Sequence, residues 1–375
     1  MRRREFSLRL DSPLSTARAE ILDREGVILR LDPNDDPVPG TGIGEATPLP
    51  GWTESLEECR TALDRAEREG IEPAMAELED APAAPAPAFP APAFPAPAFP
   101  APASPAARHG LSLARLDAEA RAEEEPLAGC LAAERDLPEP AERVTVNATI
   151  GDGGPEDGAK TARRAVDDGH RAVKVKIGAR PLDVDLECVR AIRRAVGPAI
   201  EIRADANGGW DRGTARRALD ALADLDVAYV EQPLPANDLP GLARLREESR
   251  VAIAADESLT EHGLDAVLDA EAADLVVLKP MVLGGPDRAL DAAMRAREAN
   301  VEPVVTTTVD AVVARTAAVH VAAAIPDVRA CGLATGGLLA EDLAPDPCPV
   351  DDGHIEVPTE PGLAGERFDG IVDEE

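Results

Sequence analysis

Between residues 143 and 335 the apolar positions come in eight short runs, separated by stretches with helical spacing. The runs are RVTVNATI (143–150), AVKVKIG (172–178), EIRADANG (201–208), AYVEQP (228–233), VAIAADES (251–258), DLVVLKP (274–280), EPVVTTTV (302–309) and ACGLAT (330–335), and their starts fall 23–29 residues apart. Between them lie patterns such as DVDLECVRAIRRAVG and PDRALDAAMRARE, with apolar residues three and four apart. Short runs rich in β-branched residues read as strands, and the stretches between them as amphipathic helices. Seven strand–helix units and an eighth strand predict an α/β fold, a (β/α)7β barrel of the TIM type. A doubly wound open sheet is the competing topology, but no glycine-rich turn follows the first run.

The flanks have a different texture. FSLRL and GVILRL read as strands, and GTGIGEATPLPGW (40–52) as a turn-rich connection. Its Gly40, Gly42 and Gly44 lack the spacing and the strand–helix setting of a phosphate loop. Helices are expected over 54–78 and again over 110–133. Between them, residues 81–105 repeat the unit PAPAF and hold ten of the 35 prolines and three of the five phenylalanines. Proline at this density predicts polyproline II or disorder, a solvated insertion in a surface loop. The division expected is 1–135, 143–335 for the barrel, and an acidic tail, 336–375, that packs back on the N-terminal region.

Charge narrows the functional classes. The chain of 375 residues carries 71 Asp and Glu against 39 Lys and Arg, a net charge of −32. That excludes a general binder of nucleic acid or anionic membrane, which needs clustered basic residues. No apolar stretch reaches the length of a membrane span. The N-terminus MRRREFSLRL has the charge of a signal peptide but no apolar segment after it. Five scattered cysteines without a CxxC argue against a disulfide framework or zinc site and for a reducing cytoplasm. Only four of the 39 basic residues are lysine: Lys160, Lys174, Lys176 and Lys279. Acid-rich, lysine-poor surfaces suit concentrated salt, so a halophilic protein is expected.

In such a barrel the chemistry sits at the C-terminal ends of the strands. There the runs carry Lys174 and Lys176, then Arg203, Asp205 and Asn207, then Glu231, then Asp256 and Glu257, then Lys279. Asp205, Glu231 and Asp256 end three successive strands. Three converging carboxylates repel unless a hard divalent cation joins them, and Mg²⁺ fits oxygen ligands best, with Mn²⁺ as a substitute. The competing reading is that each acid caps the helix that follows it. Strands two and six lie opposite each other in an eight-stranded ring, so Lys176 and Lys279 should face each other across the metal. Lysine, unlike arginine, can serve as a base near neutral pH. A divalent cation beside such a lysine suits removal of the proton α to a carboxylate, with the resulting enediolate stabilised by charge. Lys160, on a helix, is read as a surface cation.

VKVKIG, DANGGW, VEQPL, ADES and LKPMVLGG, in this order, resemble the enolase superfamily in its muconate-lactonising branch. The resemblance covers nearly the whole chain. It implies that the N-terminal region, with the tail, forms an α+β capping domain, and that residues 81–105 are an insertion in it. It implies Asp205, Glu231 and Asp256 as metal ligands, with Asn207 and Glu257 supporting them. It implies Lys176 as the base, Lys279 as the cation on the opposite face, and Lys174 as a contact to the carboxylate that makes Lys176 a better base. TTTVDAVVARTAAVHVAAAI and CGLATGGLLAEDL look most like o-succinylbenzoate synthases. That implies syn dehydration of a succinyl-hydroxycyclohexadiene carboxylate, in menaquinone synthesis. N-succinylamino acid racemase, dipeptide epimerase and muconate cycloisomerase share the machinery. The epimerase is disfavoured because Ala334-Thr335-Gly336-Gly337 stands where an Asp-x-Asp is expected. Thr307, Thr308 and Gly332 are candidates for the succinyl tail. Arg203 points inward by strand parity, toward a substrate carboxylate or toward Glu231. The partner expected is a small carboxylate.

Overall fold

The computed structural model describes residues 1–15, 20–34, 36–80, 102–151 and 153–373. It opens with an antiparallel meander, β1 (Arg2–Ser15), β2 (Glu20–Leu31) and β3 (Gly42–Ala46). Four helices follow: α1 (Leu56–Glu69), α2 (Ile71–Asp80), α3 (Pro105–Ala122) and α4 (Leu127–Ala133). Ser55 and Glu58 start α1 with a reciprocal capping box.

Both predicted helices are broken in two. Gly70, at φ +97°, turns the chain after α1. The second helix starts earlier than expected, at Pro105, because proline at the first turn has no N–H to lose. It stops before Pro126, with Glu124 at φ +59°. Of the Pro/Ala/Phe repeat, residues 81–101 lie outside the described residues; 102–105 are ordered against the protein.

The glycine run has a packing role. A Cβ on Gly42 would lie 1.9 Å from the Ala114 carbonyl oxygen, and one on Gly44 2.0 Å from that of Gly110. Gly110, Ala114 and Ala118 recur every four residues on α3, so a smooth strand lies directly on a smooth helix face.

The first run of the barrel region is divided. β4 (Arg143–Thr145) joins a small antiparallel sheet, and only β5 (Ala148–Ile150) enters the barrel. The parallel sheet then continues through β6 (Ala172–Lys176), β7 (Glu201–Asp205), β8 (Val227–Glu231), β9 (Ala252–Ala255), β10 (Leu275–Leu278) and β11 (Glu302–Val305), seven strands in sequence order. The helices between them are α5 (Pro155–Asp167), α6 (Leu182–Val196), α7 (Arg212–Ala223), α8 (Leu239–Glu248), the short α9 (Glu257–His262) and α10 (Leu264–Asp269), α11 (Pro280–Leu283) and α12 (Pro286–Glu298). After β11 comes α13 (Val312–Ala324). The eighth run contributes two residues: Cys331 bridges Val146 and Gly332 bridges Thr306, both in parallel sense. Their N–H groups donate to Thr145 and Val305, at 2.8 Å each, and so close the ring between first and last strands. The result is a modified barrel whose eighth strand is a stub.

In the tail, β12 (Val350–Asp351) pairs with β13 (His354–Glu356), which in turn pairs with β4. Beyond them the chain reaches α3. Buried Asp117 accepts the N–H of Ile43 on β3 (2.9 Å) and that of Leu363 (2.7 Å), and is ion-paired with Arg121. His320 on α13 donates from Nε2 to the Leu363 carbonyl (2.8 Å) and accepts the Ala128 N–H at Nδ1 (3.2 Å). Among the described residues no helix is long and apolar enough to cross a membrane.

Candidate active site

Strand register assembles the site. Lys176 is the cross-strand partner of Asp205, and Asp205 that of Glu231. Glu231 pairs with Ala254, and Asp256 lies two residues further, on the same face. A row of one lysine and three acids therefore crosses four adjacent strand ends. Lys279 follows β10, the next strand in the ring.

The side chains form one charged network. Lys176 Nζ donates to Asp205 Oδ2 (2.7 Å) and Asn207 Oδ1 (2.9 Å). Lys174 Nζ donates to both Glu231 oxygens (3.1 and 3.2 Å) and lies 3.3 Å from Asp205 Oδ2. Lys279 is ion-paired with Asp256. The two outer lysines thus occupy opposite flanks of the acid row.

These acids do not serve as helix caps. Asp211 caps α7 and Asp238 caps α8 through their own side chains, whereas Asp256, at the head of α9, makes no capping bond. Asp205, Glu231 and Asp256 are nearly fully buried at 1–5% exposure. Buried carboxylates in such a row need a counter-charge. Burial and Asp205 push Glu231 up to about 7. Burial, with Glu257 adding to it, lifts Asp256 to about 6 against the pull of Lys279. For Asp205, Lys174 and Lys176 together outweigh burial and hold it well below the usual carboxylate range. Burial pulls Lys174 down, but Glu231 and Asp205 overcome it and keep this ammonium well above the usual lysine value.

An all-oxygen, anionic, buried set matches a hard divalent cation. A carboxylate oxygen of Glu257 is buried without a partner on the same rim. As the side chains stand, each acid of the row is turned to a lysine, and among the described residues no three acids are gathered round one point.

Asn207 and Glu257 lie beside the acid row. Asn207 sits at φ +43°, a region asparagine tolerates, and its amide donates to Glu257 (3.0 Å) while its carbonyl accepts from Lys176. Sequence reasoning gave no role to Gln232, inside VEQPL. It is fully buried and uses its whole amide. Oε1 accepts the N–H groups of Asp256 (3.1 Å) and Ser258 (3.0 Å), and Nε2 donates to the Leu234 carbonyl and the Ser258 hydroxyl (2.8 Å each). It locks the end of β8 to the end of β9, and with them Glu231 to Asp256. A polar residue directly after a strand-end acid was the available signal.

The N-terminal region covers this mouth. Trp52 lies over Lys279, with the ammonium 3.5 Å from a ring centroid. Glu45 on β3 is fully buried and accepts the N–H groups of Ala311 (2.9 Å) and Ala314 (2.8 Å), fixing the cap to the start of α13. Burial and nearby Asp310 push Glu45 up to about 8. A cavity of about 410 Å³ opens between Trp52, Asp256 and Lys279 at the cap–barrel junction.

Four candidates have partners within the protein. Arg203 does point inward, but at a deeper level. It pairs with Glu201 (2.6 Å) rather than Glu231, and donates to the Ala330 carbonyl (2.6 Å) and Asn147 (3.2 Å). At 1% exposure it is a polar plug in the barrel. The hydroxyl of Thr308 is spent on Asp310, and that of Thr307 lies 3.0 Å from the Thr335 hydroxyl. Gly332 is part of the closing strand, where a Cβ would lie 2.6 Å from Thr306 Oγ1. None of the last three lines the cavity beside Lys279.

Comparison with known proteins agrees with this architecture. Residues 157–367 match the family described as enolase C-terminal domain-like. An o-succinylbenzoate synthase of Thermobifida fusca is 43% identical over 223 residues, which span 58% of this chain and 67% of the relative. The muconate lactonizing enzyme of Pseudomonas fluorescens superposes with a TM-score of 0.80 at 26% identity, over 99% of this chain and 97% of that one. A dipeptide epimerase of Methylococcus capsulatus, solved in complex with Mg and a dipeptide, has a TM-score of 0.80 at 26% identity, over 96% and 97% of the two chains. The chain therefore belongs to the enolase C-terminal domain-like family, as a lyase or isomerase of the enolase superfamily akin to the o-succinylbenzoate synthases.

Proposed function

We propose that the protein is an o-succinylbenzoate synthase that dehydrates 2-succinyl-6-hydroxy-2,4-cyclohexadiene-1-carboxylate, with Mg²⁺ held by Asp205, Glu231 and Asp256. The observation that carries the reading is the pair of lysines flanking the acid row, Lys176 on Asp205 and Lys279 on Asp256. The likeness to the Thermobifida fusca synthase favours this substrate over others handled by the same machinery. The cation supplies positive charge to the substrate carboxylate as negative charge builds on it.

The chain does the rest. Asn207 and Asp205 aim the Lys176 amine at the proton α to the carboxylate. Lys176 takes that proton, and the electron pair moves into the enediolate. The pair then expels the hydroxyl, which Lys176 protonates from the same face, so water leaves syn and the ring becomes aromatic. Lys279, as an ammonium on the far flank, stabilises the enediolate. Lys174, held by Glu231, adds a fixed positive charge beside the carboxylate.

N-succinylamino acid racemisation is the second reading, favoured by the lysine on each flank, since racemisation needs a base on both faces. The deciding experiment is a spectroscopic dehydration assay with Mg²⁺ in concentrated KCl. Turnover that disappears in Lys176→Ala and on chelation supports the synthase. A folded, Mg²⁺-binding protein without turnover, which exchanges deuterium into N-succinylamino acids, transfers the assignment to the racemase.

A further inference from the structure

Trp52 belongs to a turn that is closed on itself. The Leu49 carbonyl accepts the N–H groups of Trp52 and Thr53 (2.9 Å each), and the Thr53 hydroxyl accepts the Leu49 N–H (2.8 Å). Residues 49–53 therefore move as one piece, and the place of the indole is set by what holds the two ends. After the turn, Glu54 accepts the N–H groups of Ala106 (3.0 Å) and Ala107 (2.8 Å), which fastens it to the head of α3. Before the turn, the carbonyls of Thr47 and Pro48 accept from the guanidinium of Arg24, at 2.9 and 3.1 Å.

Arg24 stands on β2, is 2% exposed, and reaches the barrel as well. Its Nε donates to the Val309 carbonyl (3.2 Å), in the segment between β11 and α13. Val309 is at φ +60°, a conformation that a β-branched residue adopts only where its surroundings hold it. Its own N–H donates to the Thr307 hydroxyl oxygen (3.2 Å). Burial pulls the Arg24 guanidinium down, and the carboxylates of Asp310 and Glu45 oppose it. One planar group thus serves three carbonyls from two regions of the chain, a geometry that an ammonium on a flexible stem does not reproduce. Glu45 fixes the end of β3 to α13, two residues before Thr47. Arg24 fixes the two peptide groups that lie between that strand end and the turn.

We propose that Arg24 is a positioning residue for the reaction: by tying the Thr47 and Pro48 carbonyls to that of Val309, it sets the turn that lays Trp52 over Lys279. The proposal rests on Lys279 acting in the reaction of the preceding reading. Arg24 acts through Trp52 rather than on Lys279 directly. Without it the turn keeps its attachment at Glu54 and pivots there, and the indole leaves the ammonium.

The test uses the full chain in concentrated KCl, with 5-fluorotryptophan in place of tryptophan. The two tryptophans, Trp52 and Trp210, give two fluorine resonances, and the one missing in Trp52→Leu is that of Trp52. Trp210, buried just before α7, reports on the rest of the barrel. Two variants are compared with the parent: Arg24→Lys, which keeps the charge, and Arg24→Gln, which removes it. In both, the Trp52 resonance is expected to leave its parental position while that of Trp210 stays, with the larger shift in Arg24→Gln. In both, kcat is expected to fall by about threefold to thirtyfold, with a smaller change in KM. Arg24→Lys combined with Trp52→Leu should lose no more kcat than Trp52→Leu alone, because residues that act through one contact are not additive. An unmoved Trp52 resonance, an equal shift of both resonances, independent losses in the double variant, or failure of both Arg24 variants to fold overturns the proposal. Full turnover by the parent with an unmoved Trp52 resonance in the variants keeps the preceding reading and sinks this one. A shift confined to Trp52, in a protein whose parent catalyses neither dehydration nor racemisation, upholds the placement of the turn by Arg24 while the preceding reading falls.

Discussion

Lys279 holds its ammonium 3.5 Å from the centre of a Trp52 ring while also paired with Asp256, so a residue of the N-terminal region touches a lysine of the barrel mouth. In the proposed metal-bound state Asp256 would ligate the cation, and the ring face would be the main support of the ammonium. Cation–π contacts contribute about 0.5–2 kcal/mol, so Trp52→Leu is expected to lower kcat by about threefold to thirtyfold with a smaller change in KM. Trp52→Phe should recover part of the loss. Steady-state kinetics of the two variants checks this; equal loss in both would mean that the bulk of the indole matters and not its π face.

Gln232 offers the second test. Gln232→Leu keeps an apolar body of similar length but strands the buried N–H groups of Asp256 and Ser258. Each unpaired donor costs about 1–3 kcal/mol. Because the residue ties Glu231 to Asp256, Mg²⁺ affinity should also fall, by about tenfold to a hundredfold. Calorimetric Mg²⁺ titration reads the effect, and unchanged affinity in a folded variant would refute the positioning role.

His320 ties stability to pH. Its Nε2 faces a carbonyl and its Nδ1 faces an N–H, so the folded ring is neutral, and burial pushes its pKa down to about 4. The unfolded chain binds a proton near pH 6.5 and the folded one does not. The contribution is therefore complete above about pH 6.5 and is lost as pH falls to about 4, a total of about 3 kcal/mol. His320→Gln retains a donor and an acceptor but cannot charge. Chemical denaturation between these limits should show a shallower pH slope for the variant than for the parent; parallel slopes would locate the acid sensitivity elsewhere.

Salt supplies the fourth. At a net charge of −32 the folded surface repels itself. Raising KCl from about 0.1 M to about 2 M should screen that repulsion and raise the melting temperature by several degrees. A melting temperature that is flat or falls over this range contradicts the halophilic reading.

The barrel was legible because acids and lysines stand at the ends of otherwise apolar runs, whereas a strand with one solvated face would alternate along its whole length. Strand parity placed Arg203 on the correct face. It could not give its height along the axis, and Glu201, two residues before it on the same strand, captures it. The threonines of TTTV were visible as hydroxyls, but their internal partners, Asp310 and Thr335, were not. Trp52 and Gln232 escaped for a related reason. Their importance lies in contacts across 227 residues of chain in one case and between neighbouring strands in the other, and neither leaves a periodic mark. The start of α3 was hidden because its first turn lies inside a proline-rich stretch, where helical periodicity cannot show.

Asp117 has a bearing on how the chain is made. Its two oxygens receive Ile43 and Leu363, so one buried carboxylate closes a circuit between an early strand and the end of the chain. During synthesis the first of these donors emerges some three hundred residues before the second. Until residue 363 leaves the ribosome, the buried carboxylate of Asp117 has Arg121 and the Ile43 N–H but lacks its third partner. The barrel segment is complete before that moment and can assemble first, since domains fold as units while the chain is still growing. The region that begins the sequence is therefore the last to be finished, and a chain interrupted near its end loses, besides its tail, a buried tie of the region that places Trp52 over Lys279.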